Sequence, residues 1–451
     1  MPLPALPAHD GLKKALRRIS SRIGQMEGAP LSGRGALARL RPALAALPGL
    51  AGATAPGRDL LRLEDVISLP LASASPETEA RDAALREGQF FARQDRWDEL
   101  LHRLQDLDAA CATTVDGRPL ADLLAAGARA DVVNAVDHAL TEGVALSDRS
   151  LLDGIMALER LRLEQGRTPE LTTLTALTHL DIATACLRQA AHRPRRSEAL
   201  RARAEAHRTR AESLLAMRPA TAPSPAWMAT AEARLLGLTP GAGMAQLADA
   251  HHALTSYAPR DPRPLRALGR HLAARGPEGL AALDLEARRA AARQGSPWGA
   301  GGYVWVYFDA LLVSAPARVN LDPAFFLDGL RDLLSPLPGQ EQVNLLAAQC
   351  CLLAGISPVE RSPEQELHSP IAEAARWLVT GHLRQLHPQI WAEVSAELEK
   401  PSAQKSPGTT GQTRASGQKI ALRAIAEIFR REIADGQRLV FTAKGMEILP
   451  T

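Results

Sequence analysis

Lysine is nearly missing from this chain, supplying six of its 53 basic residues, with arginine making up the rest. Together with abundant alanine, that scarcity reads as the codon bias of a GC-rich bacterial genome rather than a demand for guanidinium groups. Acidic residues number 50, so the formal charge of +3 supplies no global field that would draw the protein onto nucleic acid or an anionic membrane. No apolar run reaches the roughly 18 residues of a membrane-spanning helix. The start, Met1-Pro2-Leu3-Pro4, turns basic without the apolar core of a signal peptide, and a cytoplasmic location is the expectation. Phosphate loops are lacking as well. No Gly-Lys-Ser/Thr occurs, and Gly241-Ala242-Gly243 misses the third glycine and the preceding strand of a dinucleotide site.

Cysteines are few: Cys111, Cys186, Cys350 and Cys351, with no C-x-x-C or C-x-x-H spacing. All four stand in apolar helical stretches and are expected as free core thiols. Adjacent residues on a helix point about 100 degrees apart, which argues against a disulfide or shared metal at Cys350 and Cys351. Histidine pairs His251-His252 and His382 with His387 stand one and five apart, not at the i, i+4 spacing of a helical zinc site. Neither a metal nor a cofactor is therefore expected, and no catalytic residue stands out.

What the chain does have is helical periodicity, with apolar residues making up 46% of it. Residues Gly11 to Glu27 form a basic amphipathic pattern, with Leu12, Leu16, Ile19, Ile23 and Met26 opposite Lys13, Lys14, Arg17, Arg18 and Arg22. Such a helix suits an anionic membrane, a partner's groove, or packing on its own domain. Val66 to Pro70 reads as a short extended piece. Helices follow at about 79–93, 97–112, 131–142, 149–165, 170–191 and 197–217. Three prolines in 218–226 mark a boundary, after which the pattern gives helices at about 226–237, 243–257, 263–275, 278–293, 302–314, 323–334, 341–354, 371–385 and 388–399. Residues 400–419 lack apolar side chains beyond alanine and are expected as a disordered tether. A helix at 420–435 then precedes two short β runs around Lys444-Gly445, a hairpin that needs something to pack against.

Three segments share a spacing. Pro259 is followed ten residues later by Gly269 and seven later by Gly276; Pro338 is followed likewise by Ala348 and Gly355. Near the start, Gly88, Phe91, Trp97, Leu100, Leu104 and Leu107 keep the same order of small, aromatic and apolar positions, with Asp95 and Thr78 replacing the turn glycine and closing proline. These segments, about 110 residues together, resemble the tetratricopeptide repeat. The resemblance implies that Gly269 and Ala281 face each other across one helix pair, with Leu285 filling the groove beside them. It also implies binding of a protein or peptide, with no chemistry of its own.

The expected fold is thus all-α, an α-solenoid-like array of antiparallel helix pairs with a small C-terminal helix and β-hairpin. Its divisions are a basic arm at 1–75, a helical domain at 76–218, a tetratricopeptide-like domain at 219–399, the linker at 400–419 and the end piece at 420–451. The expected function is a protein- or peptide-binding scaffold or adaptor. Its candidate anchors come from the densest aromatic stretch, where Trp298, Tyr303, Trp305, Tyr307 and Phe308 fall within eleven positions. Trp298, Tyr303 and Tyr307 are the ones that helical spacing allows on one surface, provided that at least two rings are exposed. The competing reading is that Tyr303 and Tyr307 stack as plain packing. A nucleic-acid-linked regulator is one alternative function, since nine arginines lie from Arg188 to Arg218. Glu198, Glu205 and Glu212 recur every seven residues among them, which favours intrahelical ion pairs instead. The other alternative is an enzyme with a pocket near residues 298–308.

Overall fold

The computed structural model describes residues 63–72, 76–217, 225–293, 296–335, 339–355, 364–399 and 410–450. The amphipathic pattern of Gly11 to Glu27 and residues 400–409 of the expected linker lie outside them. The described chain is mostly helical, as its periodicity requires, and its strands are confined to the 60s and the C-terminal end. No helix among the described residues is long and apolar enough to cross a membrane. The chain divides into two compact units, and the division falls between Pro264 and Leu265 rather than at the proline-rich 218–226.

Unit 1 contains α1 (Pro76–Arg93), α2 (Trp97–Ala109), α3 (Leu120–Thr141), α4 (Ser150–Glu164), α5 (Pro169–His192), α6 (Ser197–Ala216), α7 (Ala226–Leu238) and α8 (Met244–Tyr257). Helix α3 starts at Leu120, eleven residues before the periodicity expected it, directly after Pro119. It is drawn against α1 by a glycine on each side. A Cβ on Gly88 would run into the Leu124 carbonyl, and one on Gly127 into that of Leu85. Bare backbone is what permits two helices to approach this closely. The core of the unit joins Trp97, Leu100 and Leu104 to Leu124, Ile155, Leu158, Leu174, Leu177 and Trp227. Helix α5 is buried continuously from Leu171 to Leu180. Its buried threonines stay satisfied by bonding back one turn, Thr175 to the Leu171 carbonyl at 2.7 Å and Thr178 to that of Leu174 at 2.8 Å.

Unit 2 holds most of α9 (Arg263–Ala273), then α10 (Gly276–Ala292), α11 (Gly301–Val313), α12 (Ala315–Val319), α13 (Pro323–Leu334), α14 (Gln340–Ala354), α15 (Glu364–Gly381), α16 (Pro388–Glu399), α17 (Thr410–Ile428) and α18 (Arg430–Ala434). Every residue of α11 from Gly301 to Leu312 is buried, as befits a helix that is apolar all round. Glycines again set the closest approaches: Gly269 of α9 abuts the Val306 carbonyl, and Gly302 abuts Ala290 of α10. The expected pairing of Gly269 with Ala281 is therefore corrected, because Gly269 serves α11 while Ala281 is exposed and Leu285 is half exposed. Helix α17 also departs from expectation. It begins at Thr410, so residues 410–419 are helix rather than tether, and Gly417 lies directly against the Pro388 carbonyl of α16.

The expected hairpin is present as β2 (Gln437–Thr442) and β3 (Gly445–Pro450). What it packs against is the extended piece in the 60s. Strand β1 (Ile67–Ser68) runs parallel to β2, pairing Ile67 with Leu439, and gives the order β1-β2-β3. Just beyond it, Ala72 N donates to the Leu386 carbonyl and Leu386 N to that of Pro70, both at 2.8 Å. Unit 2 is thus discontinuous in sequence, and the described part of unit 1 follows β1 and ends at Pro264, inside α9.

Candidate partner-binding face

The aromatic anchors expected from the sequence do not form an exposed surface. Tyr303 and Tyr307 are both 0% exposed, Trp305 is 2% exposed, and only Trp298 is partly accessible. The tyrosine rings stack 4.8 Å apart, and Phe325 meets Tyr303 edge-on at 4.9 Å. Both phenols converge on Asp284 Oδ1, at 3.1 Å from Tyr303 and 3.4 Å from Tyr307. Tyr303 accepts in turn from Asp322 N at 3.1 Å. Burial, with the nearby Asp284 charge, pushes the Tyr303 phenol up to about 12. The two rings are core, so the requirement of two exposed anchors fails. Arg288 closes the arrangement through Asp284 at 2.9 Å and Asp322 at 3.2 Å.

The arginines of 188–218 are also occupied, mostly by other elements. Arg188 pairs with Asp137 of α3, and Arg193 donates to the Thr141 carbonyl. Arg196 reaches the Val144 carbonyl and Arg203 that of Leu146, both at 2.6 Å. Arg208 alone makes the expected intrahelical ladder, to Glu205 at 2.6 Å and Glu212 at 3.0 Å. Arg195 and Arg201 remain exposed, and Arg218 lies outside the described residues.

Two ionic clusters that sequence reasoning missed lie inside unit 1. In the first, Glu159 of α4 accepts from Arg210 of α6 at 2.6 and 2.9 Å, from Arg162 at 3.1 Å, and meets His179 Nε2 of α5 at 3.3 Å. His179 Nδ1 lies 2.8 Å from His207 Nδ1, so one of the two nitrogens carries a proton and the other accepts it. Burial pushes His207 down to about 3, helped by the charges of His179 and Arg203. Burial alone would raise Glu159, but the hydrogen bonds of His179 and Arg210 override it and hold the carboxyl well below its usual range. In the second cluster, Glu77 accepts from Thr114 Oγ1 and Asp116 N, both at 2.9 Å, while Arg263 binds Asp261 at 2.6 Å and stands 4.0 Å from Asp122. Burial raises both Asp116 and Asp122 to about 6, Asp116 with the help of Glu77. The elements that bring these groups together are separated by tens of residues, which is why no local motif announces them.

Among the described residues no three His, Cys, Asp or Glu side chains stand as a metal site. His251 Nδ1 donates to the Leu247 carbonyl, 2.8 Å away, and burial pushes the imidazole down to about 4. The cysteines are all free. Three are buried as expected, but Cys111 is exposed, in the turn after α2, with a φ of 46°.

The surface feature left over is the outer side of α4. Its inner side buries Leu151, Ile155, Leu158 and Leu161, enough to fix the helix in the unit. Yet Leu152, Met156 and Leu163 are 38%, 49% and 49% exposed. At 3.6 residues per turn these three fall within about 40 degrees of one another on the helix. Arg149 and Arg160 stand beside this line and Arg167 in the turn beyond the helix, at a φ of 60°, all exposed and none with an ion-pair or side-chain hydrogen-bond partner among the described residues. Asp153 and Glu164 border the arginines on the side away from the apolar residues. The signal in the sequence was a helix with more leucine and methionine than one buried face can use. No protein-family model, curated protein or solved structure matches the chain.

Proposed function

We propose that this protein is a helical scaffold that binds a protein partner through the outer face of α4. The supporting observation is the line of Leu152, Met156 and Leu163, held half exposed on a helix whose other side is locked into the core. Large apolar side chains left in water along one helix line mark a surface completed by association. The tetratricopeptide-like resemblance, less its 259–285 segment, whose pairing is corrected above, belongs to the same proposal, as does a cytoplasmic setting, which the four free thiols support. The nucleic-acid alternative is weakened by the inward engagement of the 188–218 arginines, and salt-dependent retention on heparin would revive it.

The test is site-specific photocrosslinking in the native cell with Met156→p-benzoylphenylalanine. A defined partner should be captured in a single band, and Leu152→Ser with Leu163→Ser in the same chain should abolish it. Capture that survives these changes, or a cross-link confined to the chain itself, would overturn the proposal.

A further inference from the structure

We infer that His179 and His207 form an acid-sensitive latch, which keeps α6 seated on α5 near neutral pH and releases it, ahead of the rest of unit 1, when protons enter the pair. Helix α6 meets the unit with the buried side chains of Leu200, Ala204, His207, Ala211 and Leu214. Their steps of four and three residues are those of a seam between two packed helices. Helix α5 lies across it, with Ala176 and Leu180 clustered against Ala211 and Leu214. Leucine stands only at the two ends of this stripe. Between them, two alanines flank His207, whose ring meets that of His179 with centroids 5.1 Å apart. The middle of the seam therefore buries little apolar area, and the histidine pair occupies it.

The surroundings assign the protons of the pair. A carboxylate can only accept, so Glu159, at 3.3 Å, puts the proton of His179 on Nε2. His179 Nδ1 is then the acceptor, and His207 Nδ1, 2.8 Å away, is the donor. One added proton can be shared across this bond, but it sets a cation beside Arg203 and beside Arg162 and Arg210, which already share Glu159. A second proton leaves two N–H groups facing each other and breaks the bond. Asp181 of α5 brings no relief, because it is taken by Arg129 of α3 and Arg234 of α7. Both strains end when α6 leaves and the rings reach water.

The direction of the response follows. Burial, with the charges of His179 and Arg203, holds His207 at about 3, against about 6.5 for a free histidine. The seated form is thus fully favoured above pH 6.5 and loses ground as the pH falls toward 3. Glu159 stays charged through most of that range, since the hydrogen bonds of His179 and Arg210 outweigh its burial. The other fastenings of α6, Arg196 on the Val144 carbonyl and Arg203 on that of Leu146, involve no group that titrates there.

The experiment is hydrogen exchange of the full chain from pH 7.5 to about 4.5, corrected for the intrinsic pH dependence of exchange. Protection of the α6 amides should fall by up to about tenfold per pH step of one below 6.5, while α3 and α5 keep theirs. His207→Asn still offers an N–H to His179 and does not titrate, so α6 should keep its protection across the range, with a melting curve at pH 7.5 showing that the variant is folded. If that variant does not fold, His179→Leu with His207→Leu gives the same readout, because an apolar pair fills the seam and takes up no proton. Unchanged α6 protection in the unmutated chain overturns the inference. So does loss in step with α3 and α5, which is unfolding of the whole unit, or acid opening that persists in a folded variant.

Discussion

The two units close their interiors by opposite means. Unit 2 is built around α11, a helix buried on all sides, with aromatic rings against glycines and two separate buried carboxylates, Asp309, clamped by Arg266 at 2.7 Å and Arg270 at 2.8 Å, and Glu286, paired with Arg289 at 2.6 Å. Unit 1 places whole ionic clusters between its helices, Glu159 with two histidines and two arginines, and Glu77, Asp122 and Asp261 with Arg263. The difference teaches where specificity of packing resides in each. Rings and glycines fix α11 by shape, so its errors are cavities and clashes. Buried ions fix α4, α5 and α6 by pairing, so their errors are uncompensated charges.

Removing rings from unit 2 should give the largest effect. Tyr303→Ala with Tyr307→Ala deletes two fully buried side chains, each worth about 3–5 kcal/mol before coupling, and takes both phenol donors from Asp284, leaving it Arg288. Hydrogen exchange should lose protection across α10, α11 and α13 while α3 to α5 keep theirs. A variant with unchanged protection would show that α11 is not the organising helix.

Next in size is Glu159→Gln in unit 1, expected to cost about 3–5 kcal/mol, because Arg162 and Arg210 are left facing a neutral amide. Acid should act in the same direction. The stability from Glu159, whose folded value is depressed, is present above the unfolded carboxylate value of about 4.3 and is lost as the pH falls below it. His207, pushed down to about 3 from an unfolded value of about 6.5, forces the native state to exclude a proton that the unfolded chain takes up. Stability should therefore fall from pH 6.5 toward 3, by up to about 1.4 kcal/mol per pH step of one, and His207→Asn should flatten that slope in urea titrations.

The same contrast decides how much was legible in the sequence. Shape was legible: the apolar run of α11, the limits of α4 and the C-terminal hairpin all follow from periodicity and turn residues. Pairing was not. The acceptors of Arg188, Arg196 and Arg210 lie about fifty residues away, and a charged residue looks solvated until its partner is known. Glycine misled for a related reason. Gly127 and Gly417 sit inside helices that extend further than composition suggests, because the backbone of another element replaces the missing side chain. Strand β1 finds β2 across more than 370 residues, a pairing that no local pattern records. At the candidate face, the aromatic stretch drew attention by rarity, whereas Leu152, Met156 and Leu163 are common residues whose exposure alone marks them.

A smaller effect of opposite sign comes from the second ionic cluster. Asp122 is raised to about 6 because burial outweighs the attraction of Arg263, so its contribution is fully present below the unfolded value of about 4 and is lost as the pH rises through 6. Asp122→Asn removes that loss. It should raise stability near pH 7.5 by up to about 2–3 kcal/mol, a figure already net of the attraction to Arg263, and the gain should vanish by pH 4. A variant destabilised at pH 7.5 would mean that the Arg263 pair dominates, and unit 1 would then depend on its charges at both clusters alike.

The smallest expected effect lies three residues from one of the largest, on the same helix. Met156→Gln keeps length, flexibility and most of the helix propensity of methionine, and it acts on a side chain already 49% exposed in the folded chain. Little apolar area is returned to water, no cavity forms, and no hydrogen bond is lost, so the change should stay within about 0.5 kcal/mol. Set beside Glu159→Gln, it measures the two sides of α4 separately, one ordered by charge within the unit and the other open for a partner. Urea unfolding of both variants at pH 7.5 gives the comparison directly. A cost above about 1.5 kcal/mol for Met156→Gln would mean that the chain itself covers this face, and α4 would then be a core helix on every side rather than a surface awaiting a partner.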